Sequence, residues 1–229
     1  MANIPGRANH MRIPKRPHLK LETGIWKEGI QFIAGVDEVG RGAWAGPVAA
    51  AAVVLPHCRP RWLRRRLGEV QDSKKLSSRK RDLLSELIST VATSVSVGFA
   101  NPEEVDSLGL MAATRAAMSR AVSGLDVSPQ YLLVDAVDLH LELKMSQESM
   151  YFGDSISLSI AAASIVAKVY RDRLMCELAK QYPGYGFSAH KGYGTREHRA
   201  AIMRLKPTPA HRRSFRPIAA LLRSPRPMV

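Results

Sequence analysis

Two short apolar runs, QFIAGV at 31–36 and YLLVDA at 131–136, meet carboxylates at their ends: Asp37 and Glu38 follow the first, and Asp135 is next to last in the second. Runs of this length, rich in β-branched and aliphatic residues, read as buried strands. An unpaired carboxylate costs several kcal/mol to bury, so the acids belong where the strands emerge, close to a cation or a basic partner. A chain built this way is confined to sheets whose strand ends gather along one edge. After the glycine-bearing DEVGRGAWAGP comes VAAAAVVL, a second strand expected to join the first through a tight loop.

The remaining pattern alternates strands with helices. Leu83, Leu84, Leu87, Ile88 and Val91 recur at helical spacing behind Ser77 and Ser78, either of which can serve as N-cap. TSVSVGF alternates like a strand, and 102–122 reads as helical. A further irregular region precedes a long Ala-rich helix, Leu158 to about Lys180, whose buried stripe is Ile160, Ile165, Val166, Val169 and Leu174, with Asp154 just before it. The expected class is α/β, a mixed central sheet flanked by helices, with the site on one sheet edge. The expected divisions are a flexible basic arm over 1–29, a catalytic domain over 30–185 and a basic helical extension over 186–229.

The net charge of +14 is concentrated at the ends: residues 1–30 hold six Lys/Arg against two acids, and 186–229 hold ten against one. Basic ends suit a polyanion, since cations gain affinity for phosphates by releasing counterions, and they also serve as plain solubilising surface. Only Cys58 and Cys176 are present, without metal-binding spacing, which suits a reducing compartment. No apolar run is long enough to span a bilayer, and no secretory h-region follows the first basic residues, so the expected setting is cytoplasmic with no membrane partner.

Asp37, Glu38, Asp135 and Asp154 all border apolar elements. Taken singly, Asp37, Glu38 and Asp135 each read as readily as a cap or surface ion pair as they do as a site residue, and Asp154, beside a helix start, reads best as a cap. Taken together they suggest a divalent cation, and with no His or Cys near them in sequence an all-oxygen site points to Mg²⁺ or Mn²⁺. Adjacent Asp37 and Glu38 point to opposite faces of a regular strand, so both reach one ion only if the chain bends, as Gly40 and Gly42 permit. Gly40, Arg41 and Gly42 suit a close approach to a sugar or phosphate, or else a tight turn between strands. Ser73, Lys74 and Lys75 read as a solvated loop, and Tyr193 as a half-buried aromatic.

The stretches GVDEVGRGAWAGPVAAAAVVL, DSKKLS at 72–77, LLVDA at 132–136, GDSISLSIAAASIVAKVYRD at 153–172, YGFSAHKGYGT at 185–195 and HRRSF at 211–215 resemble ribonuclease HII motifs in their family order, over roughly 31–218. The resemblance implies a ribonuclease H-like fold with a helical C-terminal extension, acting as a monomeric endonuclease. Its implied substrates are RNA/DNA hybrids and duplex DNA containing ribonucleotides, single embedded ones included, and cutting there begins ribonucleotide removal. The implied chemistry is two-metal catalysis that leaves 5′-phosphate and 3′-hydroxyl ends. It also implies that Asp37, Glu38, Asp135 and Asp154 are the catalytic carboxylates. Gly40, Arg41 and Gly42 would then contact the ribonucleotide, Ser73, Lys74 and Lys75 would lie near the substrate backbone, and Tyr193 would stack on the neighbouring sugar. The chain departs from the family pattern at Ala136, where glycine is usual, and at Ala43, where proline is usual. Ribonuclease HIII, with similar motifs, carries a folded N-terminal domain that thirty polar, aperiodic residues cannot form. A binding module without catalysis would have no use for four carboxylates, which repel phosphate unless a cation intervenes.

Overall fold

The computed structural model describes residues 13–57, 59–140 and 142–223. In chain order the elements are α1 (Lys20–Lys27), β1 (Ile33–Val39), β2 (Val48–Val54), α2 (Pro60–Arg66), a 3₁₀ turn (Ser73–Lys75), α3 (Ser78–Val91), β3 (Ser94–Ala100), α4 (Pro102–Leu108) and α5 (Leu110–Ser123). There follow β4 (Tyr131–Asp135), β5 (Ser146–Met150), α6 (Gly153–Ile156), α7 (Leu158–Gln181), α8 (Phe187–His190), α9 (Arg196–Leu205) and α10 (Arg216–Arg223). Among the described residues no helix is long and apolar enough to cross a membrane.

The five strands form one mixed sheet in the order β3-β2-β1-β4-β5, antiparallel from β3 to β1 and parallel from β1 to β5. Alternate residues feed two cores. Ile33, Ala51, Val53 and Leu133 pack with α1, α2, α3 and α7, while Ala34, Val36, Ala50, Ala52 and Val134 pack with α4 and α5 on the other face. Because β1 and β2 are covered on both sides, their sequences are almost uninterruptedly apolar. Gly35 faces α7, and any side chain there would run into the backbone of Ser159. The long helix thus lies flush on the strand that carries Asp37 and Glu38. A third cluster joins Ala45 and Met175 to Tyr185, Phe187, Ile202 and Ile218, seating the C-terminal helices on the β1–β2 loop and the end of α7.

Several expectations change. The arm expected through residue 29 is, from His18 onward, part of the fold: Leu19, Ile25 and Trp26 are buried in the first core. The β1–β2 connection is no tight turn but eight residues, 40–47, paired to distant chain through bridges from Ala43 to Tyr193 and from Ala45 to His211. Residues 102–122 form two helices because Gly109, at φ +81°, breaks the run, and the irregular region before Asp154 contains the polar edge strand β5. Ser77, with its hydroxyl accepting from Lys80 N, is the cap of α3.

Candidate active site

The acids gather where two strands part. Pairing between parallel β1 and β4 stops at Val36–Val134, whereas the ladder between β1 and β2 runs on to Val39–Ala49. The last residues of β1 therefore lose their neighbour on one side, and the Glu38 N–H donates to Asp37 Oδ1 at 2.7 Å instead. In this gap one oxygen each from Asp37, Glu38 and Asp135 lies within 4.8 Å of the others. The expected bend is absent: Asp37 and Glu38 keep regular register with Ala51 and Ala50. Convergence comes instead from the parting of β4 and from side-chain reach.

Burial and mutual repulsion act together on these carboxyls. Asp37 is 5% exposed, and its pKa is raised well above the usual range first by burial and then by Glu38 and Asp135. Burial, with Asp154 and Glu38 nearby, lifts Asp135 to about 6 even though its Oδ1 accepts the Gly153 N–H at 2.7 Å. Glu38 is raised by burial and partly relieved by Arg41, whose Nη1 lies 3.2 Å from Glu38 Oε1; Glu38 Oε2 is buried without a partner. Asp154, in the first turn of α6 and 8% exposed, is raised by burial and by Asp72. It stands outside the tight trio, though its charge is felt by Asp37 and Asp135. Neighbouring carboxylates, an orphaned buried oxygen and an all-oxygen donor set fit a hard divalent cation such as Mg²⁺ or Mn²⁺.

The motif residues divide by position. Ser73 is buried, its hydroxyl 3.1 Å from that of Ser164, and Ser164 on α7 favours the ionised form of Asp37. Lys74 is exposed and its positive charge favours ionised Glu38, Asp135 and Asp154, while Lys75 lies 3.8 Å from Asp72. The two glycines around Arg41 differ in purpose. Gly40 has φ +90°, and a side chain there would strike the Arg171 guanidinium, whereas Gly42 borders open space.

Two fully buried arginines hold this loop through carbonyls alone. Arg171 donates from Nε to Pro47 O (3.0 Å), from Nη1 to Lys191 O (3.0 Å) and from Nη2 to Ala45 O (3.2 Å). Arg212 donates from Nε to Gly46 O (3.0 Å) and from Nη1 to Arg41 O (2.8 Å). Burial lowers both, Arg212 to about 9. Half-buried Tyr193 lies with its ring 5.5 Å from the Arg171 guanidinium carbon. Its carbonyl is held by a histidine relay. Thr208 N–H donates to His211 Nδ1 (3.0 Å), which leaves His211 Nε2–H to donate to His198 Nε2 (3.1 Å) and His198 Nδ1–H to donate to Tyr193 O (3.0 Å). Burial pushes both rings down to about 4, so the relay is neutral.

Sequence reasoning missed Ser164, the carbonyl clamp of Arg171 and the relay of His198. A charged residue inside the apolar stripe of α7 was the one available sign for Arg171; the other two depend on contacts between distant segments.

The description "Ribonuclease HII" belongs to the family model that matches residues 34–218. A ribonuclease HII of Desulfitobacterium hafniense (strain Y51) is 50% identical over 200 residues, covering 87% of this chain and 74% of that protein. Among solved structures, the ribonuclease H2 of Pyrococcus horikoshii OT3 superposes with a TM-score of 0.69 at 24% identity, covering 83% of this chain and 96% of that one. Bst-RNase HIII in complex with Mn²⁺ superposes at 0.64 and 17% identity, covering 84% of this chain and 69% of that one. The likeness to these two structures is one of fold.

Proposed function

The chain belongs to the ribonuclease HII family, and we propose that its carboxylate cluster cuts single ribonucleotides embedded in duplex DNA as well as the RNA strand of RNA/DNA hybrids. As a member of that family it is a hydrolytic endoribonuclease. The observation that carries the proposal is the convergence of Asp37, Glu38 and Asp135 within 4.8 Å at the parting of two strands. Their raised pKa values mark an arrangement that is unfavourable without a cation and favourable with one.

Asp37, Glu38 and Asp135 would hold Mg²⁺ or Mn²⁺, with Asp154 at the margin as the ligand of a second ion or of its water shell. A bound pair of such ions would supply activation of a water for in-line attack at phosphorus and charge neutralisation at the leaving 3′ oxygen, chemistry that gives 5′-phosphate and 3′-hydroxyl ends. The chain's residues do the rest. Ser164, with the Ser73 hydroxyl against it, favours ionised Asp37, and Gly153 N–H holds Asp135. Arg41 leaves Glu38 for a phosphate as substrate enters, a charge-assisted exchange. The backbone at Gly42 lies open to a sugar, and Lys74 and Lys75 stand at the mouth to meet the strand. Tyr193, braced from behind by Arg171 and the histidine relay, offers a ring face to the next sugar, so that one 2′-hydroxyl can be distinguished from none.

The test is cleavage of a fluorescent duplex containing one ribonucleotide. Activity is expected only with Mg²⁺ or Mn²⁺, and Asp37→Asn is expected to lower it by orders of magnitude with the fold intact. Asp154→Asn should lose less in Mn²⁺ than in Mg²⁺. Wild-type turnover by Asp37→Asn in Mg²⁺, or cleavage in chelator, would remove the assignment.

A further inference from the structure

Away from the carboxylates, one surface carries a concentration of positive charge with no acid to balance it. Between Leu55 and Gly68 the sequence has no acid and five arginines, Arg59, Arg61, Arg64, Arg65 and Arg66, all of them exposed. They sit on and just before α2, which is anchored by the buried Leu63 and ends with three arginines in a row. Among the described residues, none of the five side chains pairs with a carboxylate or makes a hydrogen bond; the nearest acid along the chain, Glu69, is taken by Lys80. Trp62 is 43% exposed beside them, with the Arg66 guanidinium carbon 6.0 Å from its ring. The patch continues onto α1, where exposed Lys20 and Lys27 share a groove with Arg64.

Like charges packed this closely repel one another and weaken the fold that bears them. α2 could present any polar residue at these positions and keep its single buried anchor, so the repulsion is not a requirement of folding. What offsets it is a polyanion, since each guanidinium that meets a phosphate releases condensed counterions and forms a charge-assisted hydrogen bond. The patch also lies near the cleavage site. Arg66 lies eight positions before Lys74 at its mouth, and at about 3.5 Å per residue even a straight chain spans at most about 28 Å. That is about eight base pairs of duplex at roughly 3.4 Å each.

We propose that the exposed arginines of α2, with Lys20 and Lys27, form a second phosphate-backbone contact that grips the duplex flanking the cleavage site. This rests on the reading of the chain as a nuclease acting on duplexes. Contacts to phosphate position a substrate without reading its sequence, so the patch adds affinity and leaves the choice of ribonucleotide to the site itself. The grip requires enough duplex to reach it: a substrate that ends close to the ribonucleotide gains nothing from α2.

The experiment compares the full chain with Arg61→Gln/Arg64→Gln/Arg65→Gln, which keeps helix formers on an exposed face; circular dichroism and melting verify the fold. Binding is measured in Ca²⁺ and cleavage in Mg²⁺, across a salt series. One duplex carries its ribonucleotide about four base pairs from each end, the other about fifteen, on either side of the reach set above. On the long duplex the variant is expected to bind about ten- to a hundredfold more weakly, with a log K against log salt slope shallower by about two to three, since each phosphate that an arginine neutralises adds nearly one to the slope. On the short duplex, affinity, slope and kcat stay at wild-type values. Equal affinity and slope for the two proteins on the long duplex would overturn the proposal, as would an equal loss on both duplexes, which would make the arginines a general electrostatic attractor. Failure of both proteins to cut either duplex would instead defeat the nuclease reading, so the two failures are distinguishable.

Discussion

Asp135→Asn separates what the carboxylate cluster does for catalysis from what it costs the fold. Burial and neighbouring carboxylates raise Asp135 to about 6 from an ordinary value near 3.8, so in the metal-free protein its ionised form is disfavoured. A folded-state pKa above the unfolded one means the native protein binds the proton more tightly. The stabilising proton is fully present below about pH 4 and is lost as pH rises through about 6. At pH 7 a difference of this size corresponds to about 3 kcal/mol, reduced to about 1–2 kcal/mol by solvent screening at a site that is only partly buried. Asparagine keeps an oxygen for the Gly153 N–H and removes the charge. The variant, without metal, is therefore expected to be about 1–2 kcal/mol more stable than wild type at pH 7, melting a few degrees higher. The advantage should shrink through pH 5 and vanish near pH 4. Mg²⁺ or Mn²⁺ should raise the melting temperature of wild type and not of the variant, whose cleavage should fall by orders of magnitude. Thermal melts across this pH range, with and without metal, carry the test. An advantage independent of pH, or a variant less stable than wild type at pH 7, would refute the argument from buried charge, and retained cleavage would refute the assignment as a ligand.

Ala136 occupies the left-handed region at φ +53°, so Ala136→Gly should raise stability by about 0.5–1 kcal/mol, seen as a small rise in melting temperature with cleavage unchanged. His198 and His211 have folded-state values near 4, below the unfolded 6.5, so the stability they contribute is present above pH 6.5 and is lost as pH falls toward 4. Wild type should lose ground to a His198→Phe/His211→Phe variant over that window in urea melts; parallel curves would mean that the relay is not neutral. Tyr193→Ala should lose more kcat/KM on a single embedded ribonucleotide than on a long hybrid, whose many registers mask a positioning defect, and Tyr193→Phe should lose less. An equal loss on both substrates would make Tyr193 a general support of the site.

The acids were legible in the sequence because a carboxylate at the end of an apolar run has few reasons to be there, and β1, β4 and α7 were legible because their burial leaves an apolar period. β5 was not, since SQESM is an exposed edge strand specified by its ladder to β4 rather than by its own side chains. The 40–47 loop read as a turn because its partners, Tyr193, His211 and the two buried arginines, lie far away in sequence. Arg171 and Arg212 show how misleading charge can be: both are more buried than most leucines, and each donates to carbonyls of the 40–47 loop that come within reach only in the folded chain.

The same blindness to distant contacts made residues 18–29 look like an arm, and it leads to a last prediction. Read in isolation, KLETGIWK is short, charged and too brief to hold a helix in water. In the fold, Glu22 Oε1 accepts from Ser157 Oγ (2.7 Å), Ser159 Oγ (2.8 Å) and Ser159 N (3.0 Å), so a carboxylate far away in sequence caps the start of α7. Leu19, Ile25 and Trp26 bury their side chains alongside. At about 1.5–3 kcal/mol for each buried side chain, deleting residues 1–29 removes more than about 5 kcal/mol even before the cap is counted. That is the lower end of the whole stability of a typical domain. The truncated chain is expected to melt far below the full one or not to fold, and Trp26→Ala alone should cost about 3–5 kcal/mol in urea denaturation. The loss should also reach the chemistry, because the first turns of α7 lie against Gly35 and carry Ser164, which favours ionised Asp37. Trp26→Ala, measured where it is still folded, should lower kcat more than it raises KM. A truncation to residue 30 with a wild-type denaturation midpoint would show that α1 is held to the fold without holding it together.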